Sequence, residues 1–282
     1  MRVGIIGIGL IGGSLALQLR KEYPDITILG HDACKTNLHK AIDLNLIDEI
    51  ILNNDYSSLD ILLLTFPVTE INNKLSSILD SINNKTLVID FGSTKARICK
   101  KISNHIRRSQ FLATHPIAGT EFSGPNSADE NLFNRKVQII CELEKTDKIL
   151  SKWALEWFES MGMIIKEMNP EDHDKHIAYV SHLSHISSFI LGQTVLEKEK
   201  DESAIFAMAG SGFESTVRLA KSSPETWSSI FQQNKDNVLE TLKHYIYNLK
   251  EFKKLLESEE YERIYSVIEK TNVIKDVLKG IK

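Results

Sequence analysis

The sequence has few cysteines and no long apolar run, and these two absences remove whole classes of protein. Its three cysteines, Cys34, Cys99 and Cys141, lie far apart and form no CxxC pair, so we expect reduced thiols and not a disulfide framework. No apolar run approaches the roughly 18 residues of a membrane span. The first predicted strand begins at residue 2, so we expect no signal peptide. We therefore predict a cytoplasmic protein with no membrane partner.

The sequence also lacks a large excess of charge of one sign. The net charge is −4, which gives no reason to expect a nucleic-acid partner, and an anionic ligand would have to meet local positive charge. The 282 residues are 42% hydrophobic and 26% charged, which is ordinary for a globular protein. This length is enough for one large domain or two ordinary ones.

The most informative pattern that is present lies in the first 32 residues. An apolar run at 3–6 is followed at once by Gly7-x-Gly9-x-x-Gly12 and then by helical character at 14–21. A strand, a glycine-rich turn and a helix in this order indicate a dinucleotide site. The first glycine permits the tight turn, the second lets the backbone approach a pyrophosphate, and the third lets the helix pack closely on the strand.

An acidic residue in the expected place narrows the choice of dinucleotide. Asp32 follows a second predicted strand at 26–29 and comes twenty residues after Gly12. A carboxylate there is placed to accept hydrogen bonds from a ribose 2′-hydroxyl and would repel a 2′-phosphate, which favours NAD over NADP. The residues predicted to contact NAD in this region are Gly7, Gly9, Leu10, Ile11, Gly12 and Asp32.

Strands and helices alternate up to residue 168, and the composition then changes. Near-continuous apolar runs are typical of parallel strands buried on both faces. Strands are predicted at 60–65, 86–90, 111–114, 137–141 and 163–166, and helices at 70–79, from the 92–95 segment through Ile106, and at 148–161. After Asn169-Pro170 no strand-like run follows, and apolar residues step by three and four from Leu239 to Phe252, as on a helix. That stripe is predicted to be core or a dimer seam.

The predicted fold class is α/β: a Rossmann-type doubly wound, mostly parallel sheet followed by an all-helical C-terminal domain. We place a dinucleotide-binding domain in residues 1–168 and a helical substrate and dimerisation domain in residues 169–282. A substrate cleft is expected between the two.

Two polar segments leave the predicted sheet where a nicotinamide ring should lie. Ser93 follows the strand at 86–90, and it either orients a ligand or only caps the next helix; both alternatives stay open. His115 ends the strand at 111–114, is held by Pro116 and precedes a long irregular loop at 122–130. A histidine on a rigid strand end that faces a cofactor suits proton transfer near neutral pH.

Four histidines follow Pro170, which raises the question of a metal site. At about 100° per residue they point all round a single helix, and no cysteine or HExxH pattern assists, so no metal is predicted. Apolar residues surround the same stretch, so we expect a buried helix whose histidines are mostly satisfied core residues, with at least one lining a cleft. The four are His173, His176, His182 and His185.

Arg218 lies in a largely apolar predicted helix, and two roles stay open for it. It could form a salt bridge with Glu214, four residues earlier on the same face. It could instead grip a substrate carboxylate through two hydrogen bonds.

Five segments together resemble the prephenate dehydrogenase family of tyrosine biosynthesis. They are GIGLIGGS at 7–14, GSTK at 92–95, HPIAGTE at 115–121, VSHLSH at 180–185 and TVRLAKSSPETW at 216–227, in the family's order. The resemblance implies an NAD-binding domain and a helical domain through which a homodimer forms. It also implies the oxidative decarboxylation of a small-molecule substrate, prephenate, to 4-hydroxyphenylpyruvate.

The resemblance further implies roles for individual residues. The catalytic residues would be His115 and Ser93, with Ser93 also on the cofactor side, and the substrate-binding residues would be His182, Arg218, Thr120 and Glu121. The sequence departs from the family pattern at two positions. Family members often have an acidic residue where Ser215 stands, which puts in doubt any contact relying on that acid, and a proline where Ser184 stands.

Three alternatives stay open. The protein could be an arogenate or dual-specificity dehydrogenase, whose substrate side chain ends in an amino acid. It could be another two-domain dehydrogenase of the hydroxyacid or imine-reductase type, which would leave HPIAGTE at 115–121 unexplained. It could also be a non-catalytic dinucleotide sensor that dimerises through its helices.

Overall fold

A computed structural model describes residues 1–53, 55–200 and 204–279 of the chain. An eight-stranded sheet forms its centre. The strands are β1 (Arg2–Ile6), β2 (Thr27–His31), β3 (Glu49–Ile50), β4 (Ile61–Leu64), β5 (Leu87–Asp90), β6 (Phe111–Pro116), β7 (Val137–Cys141) and β8 (Ile164–Glu167). Their order across the sheet is β3-β2-β1-β4-β5-β6-β7-β8, and every neighbouring pair is parallel except β6 and β7, which are antiparallel.

Helices connect the strands and make up the regular structure after β8. They are α1 (Leu10–Glu22), α2 (Lys35–Asp43), α3 (Val68–Ser81), α4 (Ala96–Lys101), α5 (Lys148–Ser160), α6 (Pro170–Ile177), α7 (Leu183–Glu199), α8 (Ser211–Val217), α9 (Pro224–Gln233), α10 (Lys235–Glu257), α11 (Tyr261–Thr271) and α12 (Ile274–Lys279). No strand occurs after β8 in the described part of the chain. The predicted fold class is confirmed.

Both faces of the sheet are covered, because successive side chains of a strand point to opposite sides. On one face Ile5 and Leu63 pack with apolar residues of α1 and α5. On the other face Leu64 and Val88 pack with apolar residues of α3 and α4. Burial on both faces explains why the central strands are near-continuous apolar runs and show no alternation.

Three local features differ from what the sequence predicts. The helix predicted to continue through Ile106 ends at Lys101, where the chain turns and the His105 amide donates to the Ile102 carbonyl at 2.9 Å. The short strand β3 was not predicted, because two exposed residues give no periodic signal. The stretch expected to be buried after Pro170 is buried only in part, since His173 and Asp174 are buried whereas Val180 is 73% exposed and Ile190 is 55% exposed.

The chain divides into two compact units. The first, Met1–Lys235, contains the sheet and the helices through α9, and the second begins at Asp236. Helices α6 and α9 belong to the first unit because they are bonded to its sheet domain: Asp174 accepts from the Lys95 amide, and the Ser229 hydroxyl accepts from the Thr69 amide at 2.8 Å. The predicted boundary between residues 168 and 169 stays a prediction.

All three cysteines are free thiols: Cys34 is exposed, while Cys99 and Cys141 are buried. None of the described helices is both long and apolar enough to cross a membrane.

Candidate active site

The glycine-rich turn after β1 has the shape that a dinucleotide phosphate requires. Gly7 has φ of +91°, and a Cβ there would lie 2.8 Å from backbone atoms of Thr65 and Phe66. A Cβ on Gly12 would overlap the carbonyl oxygen of Gly7, so these two positions exclude side chains. A Cβ on Gly9 would meet nothing within 4 Å, so the backbone is open there, at the start of α1. The residues therefore fit a bound pyrophosphate.

Asp32 follows β2 directly and is held rigidly beside this turn. Its Oδ2 accepts from the Ile8 amide at 2.9 Å, and its Oδ1 accepts from the Cys34 amide at 2.8 Å. Each carboxylate oxygen has two lone pairs, so the partly exposed side chain keeps acceptor capacity for ribose hydroxyls. Leu10 and Ile11 form the first turn of α1 and are partly exposed beside it.

His115 lies near the carboxyl end of β6 and is the centre of a buried polar cluster. Its Nδ1 lies 2.8 Å from Nε2 of His173 on α6, and Nδ1 of His173 lies 2.8 Å from Oδ1 of Asp174. Burial lowers the pKa of His115 well below its ordinary value, and neighbouring His173 and Lys95 lower it further. The ring of His115 is therefore neutral at physiological pH.

Asp174 also holds the segment that contains Ser93. Its carboxylate accepts from the main-chain amides of Lys95 at 2.7 Å and Ala96 at 3.0 Å, so it satisfies the first amides of α4. The alternative that Ser93 caps this helix is therefore wrong, because the carboxylate of Asp174 on α6 accepts the hydrogen bonds that a capping side chain would accept. Ser93 itself is partly exposed after β5.

A fully buried lysine joins the ends of two strands beneath this cluster. Nζ of Lys95 pairs with the carboxylate of Asp90 at the end of β5 and donates to the carbonyl of Thr114 at 2.6 Å. The hydroxyl of Thr114 donates to the Asp90 carbonyl at 2.8 Å. These bonds fix the backbone immediately before His115.

Of the two histidines in the SHLSH segment, the structure buries one and leaves the other partly exposed. His182 is 1% exposed, with Nδ1 at 3.3 Å from Nδ2 of Asn234, and burial lowers its pKa to about 4. His185 stacks on Trp227 with ring centroids 3.4 Å apart. His185 lies on α7, which packs against the helical turn that begins at Arg218. Burial lowers the pKa of His185, and the charge of Arg218 lowers it further. The family resemblance implies His182 as the substrate-side histidine, because a position in a motif does not show which of two nearby rings is accessible.

Arg218 follows α8 and is paired with Glu121 in the loop after β6. Its Nη1 donates to Oε2 of Glu121 at 2.7 Å. The predicted alternative, a salt bridge with Glu214, is not formed, because the guanidinium extends across to a loop 97 residues away in sequence. Hydrogen bonds from its own backbone N–H and from Arg218 lower the pKa of Glu121.

The neighbouring part of this loop is also ordered. Thr120 is exposed, and its hydroxyl accepts from the Phe122 amide at 3.2 Å. Within the loop predicted at 122–130, a short helical turn forms at Pro125–Ser127, and the Asp129 amide donates to the hydroxyl of Ser14 on α1 at 2.9 Å. No group of three or more His, Cys, Asp or Glu among the described residues could hold a metal ion.

Comparison with known proteins is consistent with this arrangement. Residues 15–167 match the family model described as prephenate dehydrogenase, nucleotide-binding domain, and residues 169–270 match prephenate dehydrogenase, dimerization domain. The chain is 29% identical to a prephenate dehydrogenase of Bacillus subtilis, covering 97% of this chain and 75% of that protein. It is 27% identical to a cyclohexadienyl dehydrogenase of Zymomonas mobilis, covering 92% of this chain and 89% of that protein.

Solved structures of similar proteins superpose along nearly the whole chain. A prephenate dehydrogenase from A. aeolicus in complex with hydroxyphenyl propionate and NAD+ has a TM-score of 0.87 and 32% identity, covering 98% of this chain and 97% of that one. A Synechocystis arogenate dehydrogenase has a TM-score of 0.75 and 28% identity, covering 98% and 99%. Both halves of the sequence, the sheet domain and the helices that follow it, thus match one family of oxidoreductases, and the chain belongs to the prephenate dehydrogenase family.

Proposed function

We propose that the protein catalyses the NAD-dependent oxidative decarboxylation of prephenate to 4-hydroxyphenylpyruvate. The observation that carries the proposal is a neutral, partly exposed His115 at the carboxyl edge of the parallel strands, with a dinucleotide turn in the same compact unit. Ligands of open α/β sheets bind at that edge. A location in the cytoplasm stays a prediction.

The cofactor side is the turn from Gly7 to Gly12 together with Asp32. The backbone at Gly9, Leu10 and Ile11 would receive the pyrophosphate, and the carboxylate of Asp32 would accept from ribose hydroxyls. The A. aeolicus relative, with NAD+ in its structure, supports this choice of dinucleotide. When bound, NAD supplies the hydride acceptor. Ser93 is proposed to orient the reacting groups beside it.

The chemistry follows from the structure of prephenate, a cyclohexadiene with a hydroxyl and a carboxylate at opposite ends of the ring. Hydride leaves the hydroxyl-bearing carbon while His115 Nε2 accepts the hydroxyl proton as general base. The ring carboxylate leaves as carbon dioxide, and the electrons of the broken C–C bond complete the aromatic ring. The product is a phenol, so the reaction releases no net proton and His115 returns the proton to the same oxygen.

The substrate side is proposed to be Arg218 with the loop residues Thr120 and Glu121. Arg218 is about half exposed, with a side-chain accessibility of 49%, and a guanidinium has five donors, so one ion pair with Glu121 does not exhaust it. It would hold a substrate carboxylate. The predicted direct contact of His182 with substrate does not suit a ring that is 1% exposed, and we propose His185 in that role because it is partly exposed and near Arg218.

We also propose a homodimer formed through the helical region. The second family match is a dimerization domain, and α10 carries exposed apolar residues along one stripe. They are Leu239, Ile246, Leu249 and Phe252. An uncovered apolar stripe of this kind is typical of a protein interface.

The principal alternative is an arogenate or dual-specificity enzyme, which the cyclohexadienyl and arogenate relatives favour. The test is NADH formation by the purified protein with NAD and either prephenate or L-arogenate, followed by absorbance. We expect kcat/KM to be at least about 10-fold higher with prephenate, a difference of about 1.4 kcal/mol in transition-state binding. Equal or reversed preference would establish the alternative. Absence of turnover with both substrates, with NAD binding intact, would contradict the proposal and favour a dinucleotide sensor.

A further inference from the structure

His115 is the first of three hydrogen-bonded side chains in a row that ends on a buried carboxylate. His115 Nδ1 and His173 Nε2 are 2.8 Å apart, and His173 Nδ1 and Asp174 Oδ1 are also 2.8 Å apart. His173 and Asp174 are both almost completely buried, whereas His115 is partly exposed. These hydrogen bonds therefore connect the accessible ring of His115 to the inaccessible carboxylate of Asp174.

The direction of these hydrogen bonds follows from the donors that Asp174 already receives. Two main-chain amides, those of Lys95 and Ala96, donate to its carboxylate, and an amide N–H can only donate. Asp174 thus acts as an ionised acceptor, so Nδ1 of His173 carries a proton. In the neutral ring, Nε2 of His173 is then the acceptor, and Nδ1 of His115 must donate to it. This leaves Nε2 of His115 without a proton.

We propose that Asp174 and His173 are positioning residues that hold His115 with Nε2 unprotonated. We also propose that His173 accepts a proton from His115 during turnover. This inference rests on the proposed function. As the substrate hydroxyl proton binds Nε2 of His115, the N–H bond at Nδ1 breaks and a new one forms at Nε2 of His173. The positive charge then lies on His173 beside the Asp174 carboxylate. The transfer reverses when the product oxygen takes the proton back.

The electrostatic surroundings favour the charge on His173 over the charge on His115. The titratable groups that face the pair are Asp90 from β5, Lys95 from the segment before α4, and His182 from the turn after α6. Burial, His173, Lys95 and His182 all lower the pKa of His115. The thiols of Cys99 and Cys141 stay protonated, because burial raises the pKa of both. Of the two rings, His173 contacts the Asp174 carboxylate directly at 2.8 Å, whereas Nδ1 of His115 contacts the ring of His173.

Two substitutions of one residue separate positioning from proton uptake. His173→Leu removes the acceptor, whereas His173→Gln keeps a carbonyl oxygen near the position of Nε2 that can accept from His115 but cannot take a proton. We expect kcat to fall about 100-fold in the leucine variant and about 10-fold in the glutamine variant, within the range for removal of groups that orient a functional histidine. KM for prephenate and for NAD should change less than about threefold. His176→Gln, at an exposed position of the same helix, is the matched control.

Unchanged kcat in His173→Leu, or equal losses in the two variants, would overturn the inference. A second measurement requires neither the variants to fold nor any substrate. Long-range 1H–15N spectra of the wild-type protein with 15N-labelled histidine report which nitrogen of each ring carries the proton. We expect His115 and His173 both protonated at Nδ1. A proton on Nε2 of His115 would overturn the inference, and because this readout requires no turnover, it stands apart from a failure of the proposed substrate.

Discussion

The protonation state of His115 depends on its burial and on its neighbours. An isolated histidine has a pKa of about 6.5 and is partly charged at neutral pH. Burial and three basic neighbours, His173, Lys95 and His182, lower the pKa of His115 well below that value, so the ring can accept a proton across the physiological range. A general base must be in this unprotonated state before it can accept a proton from the substrate.

Replacement of His115 should remove this base without removing the dinucleotide turn. We expect His115→Asn to lower kcat by about 10²–10⁴, the usual contribution of a positioned general base. The Kd for NAD, measured by fluorescence quenching, should stay within about threefold of wild type. Full turnover in the variant would contradict the proposed role.

Burial of His182 gives the stability of the fold a pH dependence. Its pKa is about 4 in the folded protein and about 6.5 in an unfolded chain. As the pH falls, the unfolded chain binds the proton first, so this stabilisation is complete above pH 6.5 and is lost between about 6.5 and 4. The loss amounts to at most about 3 kcal/mol of unfolding free energy.

Urea unfolding at pH 7 and pH 5 measures this effect. His182→Asn keeps an acceptor for Asn234 but has no proton to bind, so its unfolding free energy should fall less between the two pH values than that of wild type. His115 and His185 contribute in the same direction, because burial lowers their pKa too. His176→Asn, at an exposed position, should follow wild type. An equal change in unfolding free energy between pH 7 and pH 5 for all three proteins would contradict this account.

Individual residues were predictable where a local rule applies and not where a long-range contact decides. His115 and Asp32 are predicted as site residues because the carboxyl ends of parallel strands face the ligand. His173 is predicted only as one of four mostly buried histidines, and Asp174 carries no prediction, because their contacts depend on the docking of α6 against β6 and α4, across 58 to 79 positions of sequence. Such pairing leaves no mark on local periodicity.

At the scale of secondary structure elements, two glycines of the turn between β1 and α1 differ in the space available for a side chain. A methyl group on Gly12 would overlap the Gly7 carbonyl, so Gly12→Ala forces the helix away from the strand. A methyl group on Gly9 meets open space. The first change should cost folding free energy, and the second should cost ligand affinity.

We expect Gly12→Ala to lower the unfolding free energy by about 1–3 kcal/mol, the usual cost of overpacking. Gly9→Ala should unfold within about 0.5 kcal/mol of wild type, as surface changes do, but bind NAD at least about 10-fold more weakly. Urea unfolding and NAD titration of both variants check the pair. Equal unfolding free energies, or equal NAD affinities, would contradict the assignment.

The helices after Pro170 show why a helical wheel does not give the directions of all four histidines. The wheel assumed one continuous helix, whereas a wider π-helical turn at Ala178–His182 separates α6 from α7. The direction of the His185 side chain therefore cannot be calculated from that of His173 at about 100° per residue. A π-helical turn of this kind has no sequence signature of its own and is frequent at functional sites.

For the chain as a whole, the class of fold was predictable because buried parallel strands and a glycine turn are both local patterns. The antiparallel placement of β7 beside β6 was not, since it depends on the return path of the chain after the 122–130 loop. The compact unit that starts at Asp236 has mostly exposed apolar residues on its helices, and this points to assembly.

The proposed homodimer can be tested on the stripe of α10. Ile246→Lys places a charge among apolar residues, and burial of an unpaired charge costs several kcal/mol, so the dimer Kd should rise at least about 100-fold. Asn248→Lys adds the same charge at an exposed position of the same helix and should leave assembly unchanged. Sedimentation equilibrium across a dilution series measures both. A monomeric wild-type protein, or an unaffected Ile246→Lys variant, would contradict the proposal.

Because the three thiols differ in burial, the reactivity of Cys34 can report whether the adenosine end of the cofactor is bound. Cys34 is exposed and its amide is bonded to Asp32, while Cys99 and Cys141 are sealed in the core. A chromogenic disulfide reagent should therefore titrate one equivalent of thiol in the native protein and three after denaturation. Saturating NAD should slow the native reaction at Cys34, and an unchanged rate would place the ribose elsewhere. A dye attached at this position would report cofactor occupancy without any catalytic event.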